Sequence, residues 1–271
     1  MSEVTAGSID ALLTSMQAKG KSHGTVIKVY TILSGVFKKA CKGDLIDRNP
    51  MDKVERPKPR KDEIKAPEPE AFTVEELRYI LECLEKEPLK WRALVRLMVD
   101  TALRRGECGG LRWPFVDFER GTVTITGNLC YTPKKGVYLD TPKNSRLRTI
   151  GVDPEVMDLL RELRESSTGG YVFTQDDSAE PMHPQSPTRY MRKFSKRYGV
   201  EDLHPHKLRH SFASIAIVSG AYVASVSEKL GHSDKAITLR MYTHADSQSI
   251  DRASNIFRSA LQNSDKTQTD T

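Results

Sequence analysis

Residues 56–70, RPKPRKDEIKAPEPE, hold four prolines and nine charged side chains, and no regular element is expected to run through them. Proline removes a backbone donor and fixes φ, so this composition makes a spacer rather than a helix or a central strand. The 271 residues are therefore expected as two units, a short one over 1–60 and a long one over 71–262. The linker proper is placed at 61–70, and a polar, disordered tail at 263–271. A chain of this length buries a core without a disulfide or metal staple. Four cysteines (Cys41, Cys83, Cys108, Cys130) lie scattered with no C-x-x-C pair, so neither a zinc site nor a disulfide framework is expected.

The short unit reads as helical. Ser8 is placed to cap a helix with Ile9, Leu12, Leu13 and Met16 on one face. A longer helix follows Thr25, with Val26, Val29, Tyr30, Leu33, Val36, Phe37 and Ala40 on its apolar stripe. Lys28, Lys38, Lys39 and Lys42 lie mostly off that stripe, free to meet phosphates. The net charge of +6 falls wholly within residues 1–61, and the remainder is balanced. A basic module beside a neutral body suggests a nucleic-acid clamp and a catalytic partner; the plain alternative is a solvated lysine-rich surface.

Beyond the linker, Thr73 and Glu76 form a capping box, with Phe72 and Leu77 as its hydrophobic staple. A helix is expected over 89–102. The runs VTIT, GVYLD and LRTIGV within 121–151 have strand character. Asp153-Pro154-Glu155 restarts helix, and the reading stays mostly helical to about 262. The expected fold class is mostly α with a small antiparallel β-sheet. No apolar run approaches a membrane span and the N-terminus shows no apolar leader, so a cytoplasmic protein is expected. There is no P-loop, no H-E-x-x-H and no acidic cluster of the two-metal type, so no metal or other cofactor is expected.

Five segments carry chemistry-bearing residues: TALRRGE at 101–107, TPKNSR at 141–146, HKLRH at 206–210, LGH at 230–232 and LRMYTH at 239–244. Singly each has an ordinary reading, since an arginine at a helix end is usually a surface cation and a helical tyrosine is usually core. In this order they resemble the tyrosine recombinase, or phage integrase, family. Arg104 matches its T-G-L-R-x-x-E motif, with Ala102 in place of the glycine. Lys143 matches the lysine of a β-hairpin, His206 and Arg209 match H-x-x-R, His232 matches L-G-H, and Tyr242 matches the nucleophile. The resemblance covers 71–245, and more loosely the first 60 residues with their N-P-x-x-x-V-x-x-P ending.

The resemblance implies strand cutting and rejoining through a 3′-phosphotyrosine on Tyr242 and a Holliday junction. Arg104 and Arg209 would hold the non-bridging phosphate oxygens, and Glu107 would fix Arg104. Lys143 would protonate the 5′-oxygen, His206 would take the tyrosine proton or orient the phosphate, and His232 would donate to a phosphate oxygen. Rivals remain at Arg105 and, for the acid, at Lys134 and Lys135, in a segment (129–138) that is long for the family. Further DNA contacts are expected from Arg189, Arg192, Lys193 and Lys196 on a helix at 186–198, and from Arg146 and Arg148, although Arg148 has the alternative of pairing within the sheet.

The function implied is site-specific integration and excision of a mobile element, by an enzyme without an arm-binding domain. A type IB topoisomerase and a non-catalytic DNA-binding protein are the alternatives. The partners implied are double-stranded DNA with a specific core site and further copies of the chain, two on a site and four at synapsis. Ser249–Leu261 reads as the amphipathic helix that docks one copy on the next, or that packs on its own domain.

Overall fold

Contacts divide the chain into two units, Met1–Pro69 and Glu70–Thr271. The computed structural model describes residues 4–60, 71–140, 147–176 and 178–231. Lys143, Arg146, His232, Tyr242, the linker at 61–70 and the helix expected over 249–261 lie outside the described residues.

In the first unit, α1 (Ala6–Ala18) and α2 (His23–Lys42) each begin one turn earlier than the hydroxyl residue chosen from sequence. Thr5 caps α1, and Ser8, three residues on, closes a capping box with it. Ser22 caps α2 and accepts from the Thr25 amide. Both starts hold two hydroxyl residues three apart. Only the one with extended backbone can cap, and composition does not reveal which that is. Ile9, Leu13, Val26 and Phe37 form the core, closed by Met51 and Val54 from a 3₁₀ turn at Pro50–Lys53. Leu12 and Val36, placed on the apolar stripes, are 47% and 48% exposed. Lys28, Lys38, Lys39 and Lys42 are exposed.

The second unit is mostly helical with small antiparallel sheets. It runs α3 (Val74–Leu84), α4 (Leu89–Thr101), α5 (Arg105–Gly109), five strands, α6 (Pro154–Glu165), α7 (Ser186–Tyr198), α8 (Pro205–Val218) and α9 (Val223–Leu230). The Thr73–Glu76 capping box opens α3, and Phe72 and Leu77 pack in one core. Fully buried Leu94, Leu97, Leu160, Phe173 and Met191 join α4, α6 and α7 around that core.

The strands are β1 (Val116–Asp117), β2 (Thr122–Ile125), β3 (Asn128–Thr132), β4 (Gly136–Asp140) and β5 (Arg148–Gly151). They form an antiparallel sheet in the order β1-β2-β5 and a separate β3-β4 hairpin. Strand β3 went unread in the sequence, and it changes which strands pair on either side of the lysine segment. Residues 141–146 were expected between two strands of one hairpin. Instead β4 pairs with β3, while β5 pairs with β2 from Ile125↔Arg148 to Thr122↔Gly151. The turn of the β3-β4 hairpin carries Lys134 and Lys135, with the Lys135 ammonium 5.0 Å from the centre of the Tyr138 ring.

Helix α7 occupies the span read from sequence. Tyr190 and Phe194 are buried, and Arg189, Arg192, Lys193 and Lys196 are exposed. A buried carboxylate anchors it from the α3-α4 connection. Glu87 accepts from the hydroxyls of Tyr190 and Tyr198, at 2.8 Å each, and from Arg197. Burial pushes the Glu87 carboxyl up, but these donors more than offset it and hold it below the ordinary range.

Candidate active site

The site is built where α4 ends. Ala102 takes left-handed backbone, φ 53°, and terminates the helix with its N–H on the Met98 carbonyl. That reversal sets Arg104 immediately ahead of α5 in extended backbone. The Arg104 amide donates to Glu107 Oε2 at 2.8 Å, and its Nη1 reaches Glu107 Oε1 at 2.9 Å. Its Nη2 donates to the Gly231 carbonyl at 3.1 Å. The side chain remains 40% exposed, so one edge of the guanidinium is open to a ligand.

Arg209 is held more deeply. It is 6% exposed, and its terminal nitrogens donate to the carbonyls of Ala102 (2.7 Å) and Leu230 (2.5 Å). The final carbonyls of a helix have no partner within it. Those of Leu230 and Gly231, at the end of α9, therefore accept from both arginines. Gly231 is the residue bonded to His232. Burial, then the Arg104 charge, lowers the Arg209 pKa to about 10, which still leaves it charged at neutral pH.

His206 sits one turn ahead of Arg209 in the first turn of α8. The cap of that helix is His204, whose Nδ1 accepts from the Lys207 amide at 3.2 Å. Partial burial, followed by the charges of His204, Arg209, Arg105 and Arg104, lowers the His206 pKa from its ordinary 6.5. It is therefore mainly a neutral imidazole at pH 7, able to accept a proton.

Arg104, Arg105, His204, His206 and Arg209 face a cavity of about 390 Å³, with Asn128 of β3 forming another wall. Asn128 was not singled out in the sequence. The signal it left is Gly106, between Arg105 and Glu107: a Cβ there would lie 2.7 Å from the Leu129 carbonyl, so only glycine lets β3 pack this closely. Arg105 donates to Gln185 and Thr188, at 2.8 and 3.1 Å, which turns it toward α7 and away from Glu107. Arg148 departs from its expected place in a DNA groove. Its side chain is only 20% exposed, and both terminal nitrogens lie on Glu107, at 3.0 and 2.7 Å. The pairing crosses from the sheet to α5 rather than staying within the sheet.

Thus Arg104, His206 and Arg209 converge on one concave, positively charged surface suited to an oxyanion, and Glu107, paired with Arg148, holds Arg104 there. The sequence profile of the phage integrase family matches residues 70–249. The chain belongs to the phage integrase family. A tyrosine recombinase XerA of Pyrococcus furiosus is 26% identical over 250 residues, spanning 90% of this chain and 78% of that protein. A tyrosine recombinase XerC of Xylella fastidiosa is 33% identical over 177 residues, spanning 60% of this chain and 51% of that one. Among solved structures, the Tn1549 transposon integrase in complex with a circular intermediate DNA superposes with TM-score 0.76 at 22% identity, over 93% of this chain and 85% of that one. A lambda integrase dimer bound to a core site gives 0.63 at 18%, over 87% and 81%. At these identities the two structures share the integrase fold with this chain. No helix among the described residues is long and apolar enough to cross a membrane.

Proposed function

We infer that the chain is a site-specific DNA recombinase that cuts and rejoins strands through a covalent phosphotyrosine at Tyr242. The observation that carries the reading is the convergence of Arg104 and Arg209 with a neutral His206 on one cavity, in a chain of the integrase family. The names of its relatives support it, as do the DNA-bound integrases that share its fold, one of them a lambda integrase tetramer on a Holliday junction.

A phosphodiester resists attack because its anionic oxygens repel a nucleophile. Two fixed guanidiniums neutralise the charge that grows on the five-coordinate phosphorus. Attack by the Tyr242 oxygen forms a bond to phosphorus and breaks the bond to the 5′-oxygen. The tyrosine proton passes to His206, and Lys143 supplies a proton to the departing oxygen. His232 donates a hydrogen bond to a phosphate oxygen. One phosphodiester replaces another, so the reverse step reseals a strand without ATP. On a partner duplex it exchanges strands.

The exposed lysines of α2 (Lys28, Lys38, Lys39, Lys42) and the exposed cations of α7 (Arg189, Arg192, Lys193, Lys196) hold the flanking phosphates. Arg146 follows Lys143 toward the minor groove. Ser249–Leu261 docks on a neighbouring copy, so that two chains act on a site and four at synapsis. The substrate is the core site of a mobile element, met in the nucleoid.

Covalent trapping tests this reading. DNA recovered from a denaturant-resistant adduct is expected to carry its 3′-phosphate on Tyr242 and to share one core sequence. Adducts at unrelated sequences, with relaxation of any plasmid, would mark a topoisomerase; no adduct at all would leave a binding protein.

The depressed His206 pKa sets a pH dependence. A base must be neutral to work, and here the neutral form persists below the ordinary value of 6.5. Single-turnover cleavage is therefore expected to hold as pH falls through 6.5 and to decline only below it, with the acid limb absent in His206→Gln. A decline that begins well above pH 6.5, or an unchanged limb in the variant, removes His206 as the base.

A further inference from the structure

Arg148 lies where three parts of the site meet. It opens β5, five residues beyond Lys143. Its terminal nitrogens form a two-point pair with Glu107, whose other acceptor positions take the Arg104 amide and Nη1. A carboxylate offers about four such positions, and here all are used. Glu107 is 7% exposed, so a vacancy on it would leave buried lone pairs without a donor.

The charges also matter. Arg104 and Glu107 alone form a neutral pair, which attracts a phosphate weakly. With Arg148 on the same carboxylate the trio carries one net positive charge, and Arg104 keeps its exposed edge for a ligand. Gly231 completes the arrangement. It has φ 63°, and a Cβ on it would lie 2.8 Å from Arg148 Cζ, so the missing side chain is what admits this guanidinium. The same residue gives its carbonyl to Arg104.

We propose that Arg148 is a positioning residue for strand cleavage: it occupies half of Glu107, so that Arg104 is aimed and left charged toward the scissile phosphate, and it ties the strand after Lys143 to the turn before His232. This rests on the phosphate-clamp reading of Arg104.

The test uses the full chain and DNA bearing the trapped core sequence, with single-turnover cleavage and binding measured separately. Arg148→Ala is expected to cleave about 10- to 100-fold more slowly while DNA affinity stays within a few-fold. Arg148→Lys should recover only part of the rate, because it restores the charge but not the two-point fork. Adding Arg148→Ala to Arg104→Ala should cost little more, since both act through one contact. Losses that multiply in the double variant would overturn the proposal, as would an Arg148→Ala enzyme that melts earlier yet cleaves at the normal rate. If the alanine variant fails to fold, Arg148→Gln, which keeps a donor there, takes its place in the same cycle. An Arg104→Ala protein that cleaves normally would sink the clamp reading and the proposal together. A dead Arg104→Ala beside a normal Arg148→Ala would sink the proposal alone.

Discussion

Tyr242→Phe is expected to abolish strand cleavage, by on the order of 10⁵-fold or more, and to leave DNA affinity within a few-fold. The asymmetry has a simple cause. In the proposed reaction the tyrosine oxygen is the atom that bonds to phosphorus, and phenylalanine has no atom to take its place. Binding is the sum of many phosphate contacts, to which one hydroxyl adds little. Gel shifts on core-site DNA and denaturing gels for the covalent adduct separate the two quantities. A denaturant-resistant adduct formed by Tyr242→Phe would show that another residue attacks. Affinity falling in step with cleavage would mean that the substitution had damaged the fold or the groove rather than the chemistry.

The second large effect separates proton delivery from charge stabilisation. Lys143→Ala should slow cleavage roughly 10²- to 10⁴-fold, because the 5′-oxygen must then leave unprotonated. Replacing that oxygen by sulfur supplies a leaving group of much lower pKa, and most of the lost rate should return. Arg104→Ala should lose about 10²- to 10³-fold and gain nothing from sulfur, since its proposed work is on the non-bridging oxygens. Equal rescue of both variants, or of neither, removes the division of roles. Lys135 is the rival acid. Its ammonium lies against the Tyr138 ring at the β3-β4 hairpin, so its expected outcome is a normal rate with either leaving group. Rescue confined to a Lys135 variant would move the acid to that hairpin.

The sequence announces what is local. The Thr73–Glu76 box, the Asp153-Pro154 start, the span of α7 and the one-turn spacing of His206 and Arg209 depend on residues three or four apart. The periodicity of a helix and the chemistry of its cap are written at that range. Even there it left an ambiguity of one turn, between Thr5 and Ser8 and between Ser22 and Thr25, which backbone conformation decided. The order of the family motifs also points to six candidate catalytic side chains, of which Arg104, His206 and Arg209 line one cavity.

Tertiary structure decided what those side chains touch. Strand β3 became a strand by pairing with β4, and that removed β4 as a partner for β5. Arg148 met Glu107 across 41 positions. Arg104 found the Gly231 carbonyl 127 residues away, and Arg209 those of Ala102 and Leu230. Every residue carries the same backbone carbonyl, so no letter of the sequence marks the few that meet a guanidinium. For these three it is the end of a helix, brought there by the packing of the core, that leaves the carbonyl free to do so.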